Sequence, residues 1–289
     1  MNQQRGTFNS NVRRHDIKLN WRSITLIVQL VVMIFIGIIG SFFSGLLGIG
    51  GAIINFPLLL YVPSWFGLEA FTSKEVASIS MLQVFFASLS GMITNRMSSR
   101  GGESYFHKPL VIQMGISTLV GSLIGSLSSM LMTSGTINVI YGFLAVIAVL
   151  LMIVPTRATM ENRSVSEVTY HSGIAMGAAF IVGGIAGIVG AGGAFILIPI
   201  MLTILKIPTR ITIASSLAIV FLSAVGGVIG KIASGDIPIW PSLFAVAGSL
   251  MGAPIGAIIS RKMNVRLLRY ALAILIAVTA VKIWIDILG

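Results

Sequence analysis

The chain has no cysteine, and of its 289 residues only eight are acidic and 9% carry a charge of either sign. The missing thiols exclude disulfides, thiolate metal ligands and cysteine nucleophiles, and they leave the redox compartment open. A soluble domain of this size carries roughly 25% charged residues. The low charge, a 56% hydrophobic content and a mean hydropathy of +0.99 describe an all-α polytopic membrane protein. Its carboxylates are Asp16, Glu69, Glu75, Glu103, Glu161, Glu167, Asp236 and Asp286, all in tails, loops or span ends. None is placed in the centre of an apolar run, where cation carriers and many proton-coupled carriers keep one despite its cost. That scarcity argues against cation selectivity.

Apolar runs long enough for a hydrocarbon core of about 30 Å occur near 24–44, 76–95, 109–132, 137–154, 172–190, 212–230, 241–260 and 266–285. Two shorter runs, 52–63 and 193–205, reach ~18–20 Å as helices, too little for a straight crossing. The net charge of +11 gathers at Arg96/Arg100/Lys108, Arg157/Arg163, Lys206/Arg210 and Arg261/Lys262/Arg266/Arg269, and in the tail at Arg5, Arg13, Arg14, Lys18 and Arg22. Basic loops between apolar spans are a topology signal, not a nucleic-acid surface. The polar tail 1–23 shows no cleavage site at a suitable distance, so the first span is read as retained.

The segment from Gly45 to Pro57 returns 142 residues later, from Gly187 to Pro199, with six of thirteen positions identical. Each copy breaks an apolar run with glycine (Gly48, Gly50, Gly51; Gly190, Gly192, Gly193) and follows with proline (Pro57; Pro199). Further on, Ser78 to Phe85 aligns with Ala214 to Phe221 at an offset of 136, and Gly121/Gly125 aligns with Gly252/Gly256. These matches predict two homologous repeats, 24–154 and 172–289, joined by a polar linker at 155–171. Each is a long helix, a glycine break, a short half-helix and three more helices. Most glycines outside the breaks fall in small-xxx-small frames that let helices pack closely.

Two arrangements follow. If each short segment dips in and returns, there are eight crossings plus two half-helices, and the repeats are parallel. If each completes a crossing, there are ten and the repeats are inverted. The basic loops divide evenly between the two models; eight crossings is the arrangement preferred on sequence.

Paired glycine-broken helices at corresponding positions point to a transport site. An anion needs donors, and a helix start offers unpaired N–H groups at the positive end of its dipole. Gly50-Gly51 and Gly192-Gly193 open the short helices, and glycine lets backbone approach a ligand. The polar side chains expected to face the same cavity are Asn55, Ser80, Gln83, Ser215 and Ser216. Lys231, which aligns with Asn95, either snorkels to the interface, the favoured reading, or attracts an anion at a vestibule. His15, His107 and His171 are too scattered to form a metal site, and no cofactor motif is present. An intramembrane enzyme needs a nucleophile and a base at depth, and no histidine or carboxylate is placed beside a mid-span serine. The residues thus point to a secondary carrier for a small anion, with an anion pore as the alternative.

The glycine pairs at Gly48-x-Gly50-Gly51 with Pro57 and at Gly190-x-Gly192-Gly193 with Pro199, together with Ala214 to Ala218, resemble the sulfite exporter TauE/SafE family, also called the 4-toluene sulfonate uptake permease family. The resemblance covers about residues 35–285 and implies export of small sulfur-containing anions, such as sulfite or organosulfonates, across the bacterial cytoplasmic membrane. Another small anion or an organic acid is the alternative cargo. A proton can travel on the substrate itself, since sulfite titrates near neutral pH. One departure is Ser78-Ile79-Ser80, which stands where the second half has Ala214-Ser215-Ser216.

Overall fold

The computed structural model describes residues 4–47, 52–98, 107–153, 170–259, 274, 277–278 and 280–286. Among them there is no strand. The helices are α1 (Gln4–Leu47), α2 (Ala52–Trp65), α3 (Ser73–Ser98), α4 (Lys108–Ser128), α5 (Ser134–Ile153), α6 (Ser172–Val189), α7 (Ala194–Thr203), α8 (Thr209–Ser234) and α9 (Ile239–Ile259), with a 3₁₀ turn, Ser129–Leu131, after α4. A further helical stretch covers 280–286.

Six helices among the described residues are long and apolar enough to cross a bilayer, through 25–46, 73–94, 108–131, 172–189, 215–234 and 239–259. The expected span at 137–154 falls in α5, whose described apolar part is 134–147. The span expected at 266–285 lies mostly outside the described residues. The two short runs are the short helices α2 and α7, and each carries its proline at the sixth position, Pro57 and Pro199. A proline there cannot donate to the carbonyl one turn back, which weakens the helix just inside its start.

Missing side chains set the helix contacts, and the contacts set the helix directions. Thr118 of α4 lies against Gly183 of α6, and Ser122 against Gly187, so α4 and α6 run parallel. Gly115 meets Leu222, Leu119 meets Gly226 and Ser126 meets Gly230, which makes α8 parallel to α4 as well. Ile34 meets Gly248, Ile38 meets Gly252 and Phe42 meets Gly256, so α1 and α9 are parallel. By contrast, Met81 of α3 meets Gly227, Phe85 meets Phe221 with ring centroids 5.2 Å apart, and Gly91 meets Leu217: α3 and α8 are antiparallel. Lipid is as apolar as leucine, so such contacts rest on close van der Waals fit instead of hydrophobic burial.

The shared direction of α6 and α8 constrains the segment between them. Gly187 and Gly226 both pack at the level of Ser122 and Leu119. Back from Gly226 to Thr209, α8 runs roughly 25 Å at 1.5 Å per residue. Residues 190–208 therefore return the chain to the face at which α6 began. His107 marks that face. Its ring accepts a hydrogen bond from the Leu110 N–H at 3.1 Å and caps α4, its own N–H donates to Ser215 Oγ of α8 at 3.5 Å, and its ring packs edge-on to Tyr170 beside α6.

Two stability outcomes are expected. A Cβ at Gly121 would run into the Phe180 carbonyl, whereas one at Gly177 meets nothing within 4 Å. Gly121→Ala should lose about 1–3 kcal/mol through overpacking, and Gly177→Ala should be neutral or gain up to about 1 kcal/mol of helix propensity. Thermal unfolding in detergent checks both, and equal effects would contradict the packing scheme. Burial pushes the His107 pKa below the ordinary histidine value. The neutral ring that caps α4 thus stabilises the fold above about pH 6.5, the unfolded value, and that stabilisation fades as pH falls toward the depressed folded value. The unfolding temperature should drop between pH 7.5 and 5.5, and the drop should shrink in His107→Asn, which caps without titrating.

Candidate functional site

The break between α6 and α7 is built from three glycines with positive φ, Gly190 at +78°, Gly192 at +63° and Gly193 at +74°. Other residues pay for that conformation, and glycine does not. Gly190 ends α6, and the Ala191 N–H donates back to the Ala186 carbonyl at 2.8 Å. Gly193 starts α7 with no side-chain cap. The first intrahelical donors are Ile196 and Leu197, which both reach the Gly193 carbonyl. The N–H groups of Ala194 and Phe195 lie in the first turn, where a helix has no partner for them. Both residues are buried.

The position of this helix start gives it significance. A Cβ on Gly192 would meet Val84 of α3 and Val220 of α8. Both valines lie near the middle of their 26-residue helices. The uncapped start of α7 thus sits deep in the bundle, between the two antiparallel helices. The first-half counterpart, Gly48, Gly50 and Gly51, lies outside the described residues.

Several predicted polar residues are buried and unpartnered. Neither amide atom of Asn55 finds a hydrogen bond, and its side chain packs on Gly40 of α1, where a Cβ would collide with it. Gln83 is equally unsatisfied at both amide atoms, and so is the Ser80 hydroxyl. A buried primary amide without partners costs free energy that a packed apolar residue would not. Pro57 is buried in α2 and Pro199 half-buried in α7.

Other predicted neighbours are not brought together. Ser215 is engaged with the His107 N–H at the face where α4 and α8 begin. Ser216 is buried and has a partner. Because α3 and α8 are antiparallel, Ser80 falls beside the Met81–Gly227 contact and Ser216 beside the Leu217–Gly91 contact. These lie on either side of the central Phe85–Phe221 contact, roughly 15 Å apart along the pair at 1.5 Å per residue. Lys231 departs from the expected snorkelling. It is 2% exposed and points inward, donating to Ser129 Oγ at 2.7 Å and to the Ile188 carbonyl at 3.3 Å.

Sequence reasoning passed over five buried serines whose hydroxyls have no partner: Ser41 and Ser44 on α1, Ser122 on α4, Ser223 on α8 and Ser242 on α9. Ser41, Ser44 and Ser122 each adjoin a packing glycine in sequence, which disguised them as small residues of a helix contact. The Phe85–Phe221 register puts Ser223 at the level of Gln83, near the break.

Comparison with known proteins places the chain among membrane transporters. A family model described as "Sulfite exporter TauE/SafE" matches residues 33–283. A Bacillus subtilis protein named "Probable membrane transporter protein YunE" is 25% identical over 258 residues, 83% of this chain and 91% of its own length. A "Probable membrane transporter protein" of Xylella fastidiosa is 27% identical over 89% of this chain and 96% of its own. An archaeal relative from Methanocaldococcus jannaschii, also named a probable membrane transporter protein, is 25% identical over 91% and 97%. No solved structure matches the chain significantly. With a match over nearly all of its apolar length, the chain belongs to the sulfite exporter TauE/SafE family of membrane transporters.

Proposed function

We propose that this transporter is a secondary carrier that exports small oxidised-sulfur anions, such as sulfite or an organosulfonate, across the bacterial cytoplasmic membrane. The observation that carries the reading is the uncapped start of α7 in the middle of the bundle, with the unpartnered amide of Gln83 beside the Val84 that walls the break; a second unpartnered amide, Asn55, is buried on α2. Helix-start N–H groups, carboxamides and hydroxyls can replace the hydration of an oxyanion without placing a fixed charge in the lipid. The sulfur cargo and outward direction rest on the family's description. The relatives' names specify no cargo, so another small anion or an organic acid is the second reading.

The mechanism we infer is alternating access by two inverted repeats, 24–154 and 172–289. Supporting it, contacts recur with the halves exchanged. Met81–Gly227 and Leu217–Gly91 are the same pair shifted by 136. Ile38–Gly252 recurs as Phe180–Gly121, and Phe42–Gly256 as Gly184–Gly125. Since α3 and α8 are counterparts in this scheme and run antiparallel, the exchange inverts the repeat. The packing also interlaces the halves: α9 lies on α1 and α3, while α4 lies on α6 and α8. The rocking bodies are then these two mixed groups, hinged where α3 meets α8 around the break. No proton-relay carboxylate is assigned, and a proton travels on the substrate.

Gly193→Leu tests the site. The φ of +74° and the contacts with Val182 and Ala186 leave a leucine no room, so sulfite uptake into proteoliposomes under a pH gradient should fall at least about tenfold, the equivalent of ~1.4 kcal/mol of lost binding. Normal flux in a folded Gly193→Leu protein would contradict the site. Saturable flux of an organic acid with none of sulfite, sulfate or methanesulfonate would contradict the cargo.

A further inference from the structure

Lys231 is the one lysine or arginine with a buried side chain among the described residues. It bonds a hydroxyl and a carbonyl, two of the three donors an ammonium offers. The charges that bear on it are Asp236, in the loop after α8, and Lys74, at the start of α3; neither makes an ion pair with it. A buried charge is costly unless a counter-charge meets it.

A seam of hydroxyls leads to this cation. Ser122, Ser126 and Ser129 follow one another at i, i+4 and i+7 along α4 and the turn after it, and all are buried. Ser126 Oγ donates across to the Gly227 carbonyl at 2.9 Å, and Ser129 Oγ donates to the Ser126 carbonyl at 2.6 Å while accepting from Lys231. Ser122 Oγ, at the inner end, has no partner. The wall opposite is Gly227, against which the Met81 thioether and the Ser122 hydroxyl pack, and Gly230, against which Ser126 packs.

Packing alone does not call for these hydroxyls. By the repeat alignment, Ser122 and Ser126 correspond to Ala253 and Ala257. Those alanines make the matching contact with Gly45 and are fully or nearly buried. Lys231 corresponds to Asn95. Ser129 aligns with Ser260, so the features confined to one side of the molecule are Lys231 and the hydroxyls of Ser122 and Ser126.

We propose that Lys231, Ser129 and Ser122 form a staging site for a small oxyanion, between the central break and the face at which α8 ends. It rests on the anion-carrier reading and adds a charged step to it. The free N–H of the Lys231 ammonium supplies the counter-charge, and the unpartnered Ser122 hydroxyl receives the anion from the α7 helix start. At the aligned position in the first half the sequence has the uncharged Asn95, so the two halves of the path bind the anion unequally.

The test uses purified full-length protein and four forms: wild type, Lys231→Gln, Lys231→Arg and Ser122→Ala. Sulfite, sulfate and methanesulfonate serve as probes, in proteoliposome flux and in anion-dependent thermal shift. For the anion that wild type carries, Lys231→Gln should raise KM about tenfold or more, as loss of a charge-assisted contact does. Lys231→Arg should recover part of that loss. Ser122→Ala should raise KM several-fold with an unchanged unfolding temperature, since alanine fills the matching position in the other half. A wild-type KM in Lys231→Gln, even with a lower unfolding temperature, would reduce the lysine to a cap on the end of α6 and overturn the proposal. If Lys231→Gln fails to fold, a wild-type KM in Ser122→Ala overturns it alone. If wild type carries none of the anions, the carrier reading fails, and the thermal shift decides the site: a shift lost in Lys231→Gln supports it, and no shift in wild type overturns it.

Discussion

The antiparallel contact between α3 and α8 is the constraint on which the rest of the molecule depends. With Phe85 and Phe221 tilted against each other at its centre, it fixes Val84 and Val220 as the two walls between which Gly192 fits. No residue with a Cβ fits there at that φ, so the break in the α6–α7 segment is held at the middle of the bundle by the helices themselves. Placing an uncapped helix start at that depth is tolerable only because protein surrounds it. The same constraint sets Ser80 and Ser216 on either side of the centre, leaving Gln83, Ser223 and the α7 N–H groups as the polar groups nearest it.

Around that contact, the close helix pairs α1–α9 and α4–α6 make two firm bodies. Their glycines bring backbone against backbone, as where Gly252 meets Ile38 and Gly121 meets Phe180. Such surfaces fit in one register and resist sliding. In the proposed cycle, motion falls to the α3–α8 seam and to the short helices α2 and α7, which proline weakens near their starts. The anion site is then attached to the seam that moves, and the firm bodies transmit the rocking. Ser129, Ile188 and Lys231 knit the turn after α4, the end of α6 and α8 together at one face, which ties the charged staging site to one of those bodies.

Much of this was legible in the chain. Hydropathy located six of the eight expected long spans within a few residues, and glycine followed by proline marked α2 and α7 as short helices. Helix direction was not legible: the basic loops do not decide between the parallel and inverted models, and the dip-and-return of 193–205 preferred on sequence does not fit the shared direction of α6 and α8, which makes residues 190–208 cross back. The return path from Gly190 to Pro208 emerged from long-range contacts of Gly187 and Gly226, which no local pattern encodes. The engagement of Ser215 by His107, 108 positions away in sequence, is of the same kind. Lys231 was misread because a lysine near a span end ordinarily reaches for water; here the hydroxyl of Ser129 and the carbonyl ending α6 draw it inward. Ser122 was hidden for a different reason: in a small-xxx-small frame, serine and alanine pack alike, and a hydroxyl reveals itself only when its partners are counted.

The most direct test of the inverted arrangement uses the absence of native cysteine. Gly67, in the turn before α3, and Lys206, before α8, can each be replaced by a single cysteine and labelled with a membrane-impermeant maleimide from one side of oriented vesicles. Gly67→Cys and Lys206→Cys are expected to react from opposite sides, because α3 and α8 start at opposite faces. Labelling of both from the same side would contradict the inverted repeat and the alternating-access mechanism built on it.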